Sequence, residues 1–164
     1  MKDKENVGLA RRAICPILVL LLVISMCSCG IGVRTRAMMG GKVRIGVDID
    51  DNANENSPIA VDVVIVYDEE LLTRLLKMTS KEWFENREQI ARDYLTGTGL
   101  DYWGWEWVPG QRVAEQALPL KPKAKGGVIF ANYFSPGAHR SRIDPFSDVN
   151  IHLQEKDFTA EVQD

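Results

Sequence analysis

The stretch IAVDVVIVY, residues 59–67, decides the fold class of this chain. It is rich in β-branched residues, which favour strands. One face carries an unbroken apolar series of Ile59, Val61, Val63, Ile65 and Tyr67. Alternation with a period of two is typical of a strand that buries one face. We therefore expect a fold built around a β-sheet that contains this strand.

The second face of this strand changes character along its length. It begins with Ala60 and Asp62, which suit a polar face, and it ends with Val64 and Val66. A strand that is apolar on both faces needs cover on both. We therefore expect the following segment to cover that end of the sheet.

Residues 68–96 carry the signals of a helical insertion. Asp68 can cap a short helix, and Thr79 with Glu82 three residues later forms a capping box for a second helix. Gly97 is placed to end the second helix. The apolar residues between these limits recur at helical spacing and include Leu71, Leu72, Leu75, Leu76, Trp83, Phe84, Ile90, Ala91, Tyr94 and Leu95.

More strands are predicted on both sides of the insertion. Pro109-Gly110 predicts a hairpin turn into a strand that begins at Gln111. SPGAHRSR, residues 135–142, is expected to be a solvated loop. Alternating patterns mark strands at residues 43–49, 102–108, 127–134, 149–153 and 158–162. Many short strands with one insertion predict a mainly β fold, a β-sandwich with an inserted helical element.

Composition limits the class of protein. With 164 residues, 45% of them hydrophobic and 26% charged, the chain has the make-up of one globular domain. The 20 basic and 23 acidic residues give a net charge of -3, which argues against a nucleic-acid surface. The three cysteines, Cys15, Cys27 and Cys29, all lie near the N-terminus, so no disulfide framework is expected in the body of the chain.

The N-terminus has the order of a secretion signal. Basic residues precede the apolar run AICPILVLLLVISM, residues 13–26, and Cys27-Ser28-Cys29-Gly30 follows it. The run is shorter than the roughly 20 residues that span a bilayer, so cleavage is favoured over a permanent helical anchor. The segment resembles a bacterial lipoprotein signal, in which a cysteine is lipidated and becomes the new N-terminus.

This resemblance divides the chain into three parts. It implies a signal peptide over residues 1–28 and lipidation of Cys29, with Cys27 as the alternative. Residues 29–41 are Gly-rich and are expected to form a flexible tether to a β-sandwich domain over residues 42–164. Gly30 stands where an aspartate would retain an enterobacterial lipoprotein in the inner membrane, so delivery to the outer membrane is expected.

The search for catalytic chemistry yields little. His139 and His152 are too few for a metal cluster, and no nucleophile and base occur at a recognisable spacing. We therefore expect no enzyme, no cofactor and no metal. The alternating Trp103, Trp105 and Trp107 could form a sugar-stacking platform or a core row, and the core is favoured.

The motifs together resemble a known family. A lipoprotein signal, then an Asn-rich loop leading through Ser-Pro into a β-branched strand, NENSPIAVDVVIVY, is similar to the outer-membrane lipoprotein of bacterial type VI secretion systems, TssJ. The order of Glu82-Trp83-Phe84, Pro109-Gly110 and GVIFANYF at residues 127–134 also fits. The Trp-rich strand departs from the family pattern, as does Tyr133-Phe134 in place of a Phe-Arg ending.

The resemblance implies a transthyretin-like β-sandwich that is tethered to the periplasmic face of the outer membrane and is no enzyme. It implies binding to the periplasmic domain of the inner-membrane protein TssM, which anchors the trans-envelope complex. An adaptable loop after the first strand would make the contact, and its residues here are Asp51, Asn52, Asn54, Glu55, Asn56 and Ser57. Without the resemblance, this loop is a long β-turn. The competing function is a stand-alone periplasmic lipoprotein that binds a ligand or glycan through its Trp-bearing strand.

Overall fold

The computed structural model describes residues 37–94 and 98–163. The signal peptide, both candidate lipidation cysteines, most of the tether and Gly97 lie outside these residues. Within the described ranges the chain forms eight strands, β1 (Lys42–Ile49), β2 (Ile59–Val66), β3 (Leu100–Trp107), β4 (Gln116–Pro119), β5 (Gly126–Ala131), β6 (Arg140–Ile143), β7 (Val149–Leu153) and β8 (Phe158–Val162). The helical insertion consists of α1 (Glu69–Leu75) and α2 (Ser80–Asp93).

The strands form two four-stranded sheets that face each other. Sheet I has the order β4-β1-β7-β8 and sheet II the order β3-β2-β5-β6. β1 and β7 are parallel, and all the other neighbours are antiparallel. Apolar side chains from both sheets meet in one core, which includes Val43, Ile45, Val61, Val63, Ile129, Ile151 and Leu153. The predicted mainly β sandwich with a helical insertion is confirmed.

The strand that decided the fold class occupies the middle of sheet II. One face of β2 points Val61 and Val63 into the core between the sheets. On the other face, Val64 and Val66 are buried beneath the helices. The predicted cover is therefore present, and we call α1 and α2 together the helical lid.

The capping signals of the lid are confirmed. Asp68 Oδ1 accepts a hydrogen bond from the Leu71 amide at 2.7 Å at the start of α1. Thr79 and Glu82 form both bonds of the capping box at the start of α2. α2 ends at Asp93, and its capping residue Tyr94 donates its amide to the Ile90 carbonyl at 2.9 Å.

The lid covers more of sheet II than the sequence pattern indicated, because Asp62 is also buried beneath it. Only 1% of Asp62 is exposed. Trp83 Nε1 donates to its carboxylate at 2.8 Å, and Arg87 donates to both of its oxygens at 2.8 and 3.0 Å. Gly104, opposite on β3, leaves room for this carboxylate, since a Cβ there would lie 2.5 Å from Asp62 Oδ1. Asp62 thus links α2 to sheet II through hydrogen bonds.

The Trp row packs inward, as expected. Trp107 is 3% exposed, and Trp103 and Trp105 are half-buried against the core between the sheets. The rings of Trp105 and Trp107 stack with their centroids 5.5 Å apart. The three Trp side chains of this edge strand therefore pack against the core.

Two local expectations are wrong. Pro109-Gly110 does not close a hairpin, because β4 begins at Gln116 and pairs with β1 in the other sheet. The chain turns there to cross between sheets, with Gly110 at a φ of 67° and its amide bonded to the Asp50 carbonyl. The expected loop at residues 135–142 contains the start of β6, a short edge strand that pairs with β5.

Ala37, which the sequence places in the tether, belongs to the folded domain. Its side chain is 4% exposed and belongs to the core between the sheets. The amide of Leu120 donates to the Gly41 carbonyl at 2.9 Å, which fixes this segment beside the end of β4. Across residues 37–94 and 98–163, no helix is long and apolar enough to span a membrane.

Candidate interaction surface

Three loops meet at one end of the sandwich. Residues 50–58 follow β1, residues 132–139 follow β5, and residues 154–157 join β7 to β8. The strand registers place them together, because Ile49 pairs with Leu153 and Val61 pairs with Ala131. We call these three segments the loop cap. It contains all six residues of the predicted partner-binding loop.

The backbone of the predicted loop has an unusual conformation. The turn Ala53–Asn56 is left-handed, with φ values of 47° at Asn54, 55° at Glu55 and 61° at Asn56. Asparagine tolerates this region better than most residues, whereas glutamate does not favour it. Three such residues in a row persist only when their surroundings hold them in place.

Hydrogen bonds to the β7–β8 turn hold the left-handed backbone. The amide of Asn54 donates to the Gln154 carbonyl at 3.1 Å, and that of Glu55 donates to the Glu155 carbonyl at 3.2 Å. Asn52 Nδ2 donates to Glu155 Oε2 at 3.0 Å. The composition predicts an adaptable loop, whereas the structure shows a loop that hydrogen bonds hold in one conformation.

Asn54 is the centre of the loop cap. It is 1% exposed. Its Nδ2 donates to the Pro58 carbonyl at 2.9 Å, and its Oδ1 accepts from the Phe134 amide at 2.8 Å. Asn54 is therefore a structural residue, although the sequence placed it among the candidate contacts. The other five candidates reach the surface, with Asp51, Asn52, Glu55 and Asn56 exposed and Ser57 half-buried.

His139 fastens the second loop of the cap. Its ring is stacked on Tyr133 with the centroids 5.1 Å apart. Nδ1 lies 3.0 Å from Asp157 Oδ1, and Nε2 lies 2.7 Å from the Ser135 carbonyl. The Tyr133 hydroxyl accepts from the Gln154 amide at 3.1 Å, and burial raises the pKa of this phenol. These contacts join residues 132–139 to the β7–β8 turn.

The surface of the cap combines carboxylates with one exposed aromatic ring. Phe134 is 71% exposed. The sequence pattern placed it at the end of a predicted strand and gave no sign of its exposure. The exposed charged residues of the cap are Asp51, Glu55, Glu155, Lys156 and Asp157, so acidic groups predominate.

The remaining candidate residues do not form a second site. His152 Nε2 lies 2.8 Å from Asp50 Oδ1, whereas the His139 ring contacts Asp157 and Ser135, so the two histidines have different partners. Among the residues described, no group of three His, Cys, Asp or Glu side chains could hold a metal ion. Asp101, beside the Trp103 edge, accepts from the Tyr67 hydroxyl at 2.6 Å and pairs with Lys121. Burial, and then this bond, raise the pKa of Tyr67.

The β-sandwich fold described above is shared by solved structures. The structure is similar to the crystal structure of the T6SS lipoprotein TssJ1 from Pseudomonas aeruginosa, with a TM-score of 0.59 and 15% identity, covering 76% of this chain and 98% of that one. It is also similar to Serratia marcescens Lip, a membrane-bound component of the type VI secretion system, with a TM-score of 0.56 and 14% identity, covering 76% and 99%.

A third similarity involves a structure of the T6SS protein TssM C-terminal domain (869-1107) from EAEC. One chain of that structure matches with a TM-score of 0.51 and 15% identity, covering 74% of this chain and 97% of the matched one. No protein-family model matches the chain, and no curated protein matches it in sequence. At these identities the likeness shows the fold, and the chain has the fold of the TssJ lipoproteins. The resemblance that the sequence motifs indicated is confirmed at that level.

Proposed function

We propose that this chain is an outer-membrane lipoprotein of a type VI secretion system that binds the periplasmic domain of TssM and so anchors the trans-envelope membrane complex. The observation that carries the proposal is the shared fold, which extends over 98% of TssJ1 and 99% of Lip. The fold of this chain therefore extends over nearly all of each of those solved chains.

The membrane attachment belongs to the N-terminal segment. Cleavage after residue 28 and acylation of Cys29, or of Cys27, would leave a lipid at the start of the mature chain. The stretch from Cys29 to Ala37 reaches less than about 30 Å even when fully extended. Stable anchoring takes more than one acyl chain, which a triacylated cysteine supplies. The sandwich would therefore stay close to the periplasmic face of the outer membrane.

The partner assignment has support from the third similar structure. Its alignment covers 74% of this 164-residue chain and 97% of the matched chain, so the matched chain is only about half as long as the 869-1107 range. The length is close to that of the TssJ1 chain, which matches over 98% of its length. We propose that the present chain binds the periplasmic domain of a TssM protein.

The contact surface is proposed to be the exposed part of the loop cap. Asp51, Asn52, Glu55, Asn56 and Ser57 offer polar groups on a backbone that is already fixed, so binding would order little additional chain. Asn54 contributes by holding this surface in shape. The competing glycan-binding function loses its proposed platform, because the Trp row packs into the core.

The test is an affinity measurement between the lipidated chain in detergent and the periplasmic domain of the TssM encoded with it. Glu55→Lys reverses an exposed charge in the loop cap, and Glu85→Lys makes the same change on the exposed side of α2. We expect Glu55→Lys to weaken binding about tenfold or more and Glu85→Lys to leave it unchanged. Wild-type protein that binds no TssM would refute the proposal.

The lipidation is tested separately. Incorporation of labelled palmitate into the full chain should be lost in Cys29→Ser and retained in Cys27→Ser. The reverse pattern would move the acylated position to Cys27, and labelling of both variants would refute a single acylated cysteine.

A further inference from the structure

We infer that Phe134 is the apolar anchor of the partner-binding surface, and that the partner receives its ring in an apolar pocket bordered by basic side chains. The inference rests on the proposed function and adds a residue outside the loop that the family resemblance indicates. It also states what the partner must present.

The first observation is the exposure of the ring. The large apolar side chains that stand exposed within residues 37–94 and 98–163 are Met38, Met39, Val108, Phe134 and Val162. Phe134 is the aromatic one among them, while its neighbour Tyr133 is 7% exposed. Aromatic side chains dominate the binding energy of protein interfaces when they enter a desolvated pocket. An exposed phenylalanine within a candidate surface is therefore a candidate hot spot.

The second observation is the rigidity of the backbone that carries the ring. The Phe134 amide donates to Asn54 Oδ1 at 2.8 Å, and Asn54 is itself fixed by its bond to the Pro58 carbonyl. On the other side, the Ser135 hydroxyl donates to the Lys156 carbonyl. The ring is thus presented from a segment that is bonded to both other loops of the cap. Such preorganisation reduces the entropy that binding would cost.

The third observation is the charge of the surroundings. Asp51, Glu55, Glu155 and Asp157 are exposed carboxylates in the same cap, and Lys156 is its one exposed basic residue among the residues described. Complementary charge steers association and excludes wrong partners. The pocket that accepts Phe134 should therefore carry lysine or arginine at its rim, and moderate salt should slow association.

The experiment compares two exposed apolar residues at opposite ends of the sandwich. Val162 is 59% exposed and ends β8 at the end away from the loop cap, so Val162→Ser is the matched control for Phe134→Ser. We expect Phe134→Ser to weaken binding of the lipidated full chain to the TssM periplasmic domain about 30-fold, as a hot spot does. Val162→Ser should bind as the wild type does, and both variants should keep the wild-type unfolding temperature.

The results separate this inference from the proposed function. If Glu55→Lys loses binding and Phe134→Ser retains it, the loop contact stands and the role of Phe134 is refuted. If Phe134→Ser loses binding while Phe134→Tyr retains it, the anchor is supported by a variant that keeps the ring. If the wild-type chain does not bind TssM, both proposals fall together. Association that does not slow between low and high salt would refute the basic rim.

Discussion

The helical lid and the loop cap each depend on a buried polar side chain, but they differ in what else holds them. Asp62 bonds the lid to sheet II, whereas Asn54 joins two loops of the cap to each other, and each residue is 1% exposed. The lid also buries Leu71, Leu75, Trp83 and other apolar side chains against sheet II. The cap contributes mainly Ala53 and Tyr133 to the core and leaves Phe134 outside.

This difference separates a structural element from a recognition element. Apolar burial is non-directional and scales with area, so it fixes the lid in place without exposing anything specific. Hydrogen bonds are directional, so they fix the geometry of the cap while its exposed groups stay available. We therefore expect lid variants to change stability without changing affinity for the partner, and cap variants to change affinity, with a loss of stability where they also remove a buried hydrogen bond.

The largest effect on stability is expected for Trp83→Ala. The ring is 0% exposed and stacks on Phe130 with the centroids 5.1 Å apart. Its removal should lower the free energy of unfolding by about 4 kcal/mol, since it leaves a cavity and takes a donor from Asp62. Urea unfolding measures the loss. The control is Phe84→Ala, because Phe84 is half-buried on the same helix, and this variant should lose less than half as much free energy of unfolding. Equal losses would mean that the lid is not anchored through Trp83.

Asp62→Ala should lower the free energy of unfolding by about 3 kcal/mol, because it leaves Arg87 and the Trp83 indole without their acceptor. Burial alone would lower the pKa of Arg87, but its bonds to Asp62 and the charge of that carboxylate outweigh burial and raise it. The Arg87 side chain remains 33% exposed and can turn to water, which limits the loss. Asp62→Asn keeps an acceptor and should cost less. Partner affinity per folded molecule should not change in either variant, and a tenfold change would contradict the division between lid and cap.

Asn54→Ala tests the cap in the opposite sense. It removes the bonds to Phe134 and Pro58 and places alanine at a φ of 47°. We therefore expect the free energy of unfolding to fall by about 2 kcal/mol. Asn54→Gly accepts that backbone conformation and should lose only about 1 kcal/mol. Both variants release the Phe134 segment, and titration should show about tenfold weaker binding of TssM. Unchanged affinity in a folded Asn54→Gly would show that the fixed cap is not required.

The sequence predicted those parts of the fold that depend on local periodicity. The alternation in residues 59–67 identified β2, and Thr79 with Glu82 identified the start of α2, because both signals lie within a few residues. The prediction of a hairpin at Pro109-Gly110 was wrong, because a Pro-Gly turn reverses the chain locally but does not specify the sheet in which the next strand pairs. β6 was missed because a short edge strand with two arginines resembles a loop.

The position of the turn at residues 51–57 was predicted from the sequence, but its fixed conformation was not. The Asn-rich composition located the turn at residues 51–57 but could not reveal that Asn54 is buried, since its partner Phe134 lies 80 residues away. For the same reason Asp62 resembled a surface residue, although its partners Trp83 and Arg87 lie 21 and 25 residues further on. A polar residue in a sequence pattern does not reveal whether hydrogen-bond donors from remote parts of the sequence surround it in the fold. The exposure of Phe134 is likewise a property of the assembled cap.

The smallest expected effect is a pH dependence at the edge of the lid. The Thr79 amide and hydroxyl both donate to Glu82 Oε2, at 2.7 and 2.9 Å, and these bonds lower the pKa of this exposed carboxyl. Because the folded pKa lies below the unfolded one, the contribution of Glu82 is complete above the ordinary pKa of glutamate and is lost as the pH falls through the lowered value.

Urea unfolding of the wild type and Glu82→Gln across acid pH measures this contribution, since glutamine keeps the capping geometry without the charge. The wild type should be slightly more stable near neutrality, and the difference should vanish in acid. A stability difference that stays constant with pH would show that the charge of Glu82 contributes nothing to the capping box of α2. Partner affinity should be equal in both proteins at neutral pH, because Glu82 belongs to the lid and not to the loop cap.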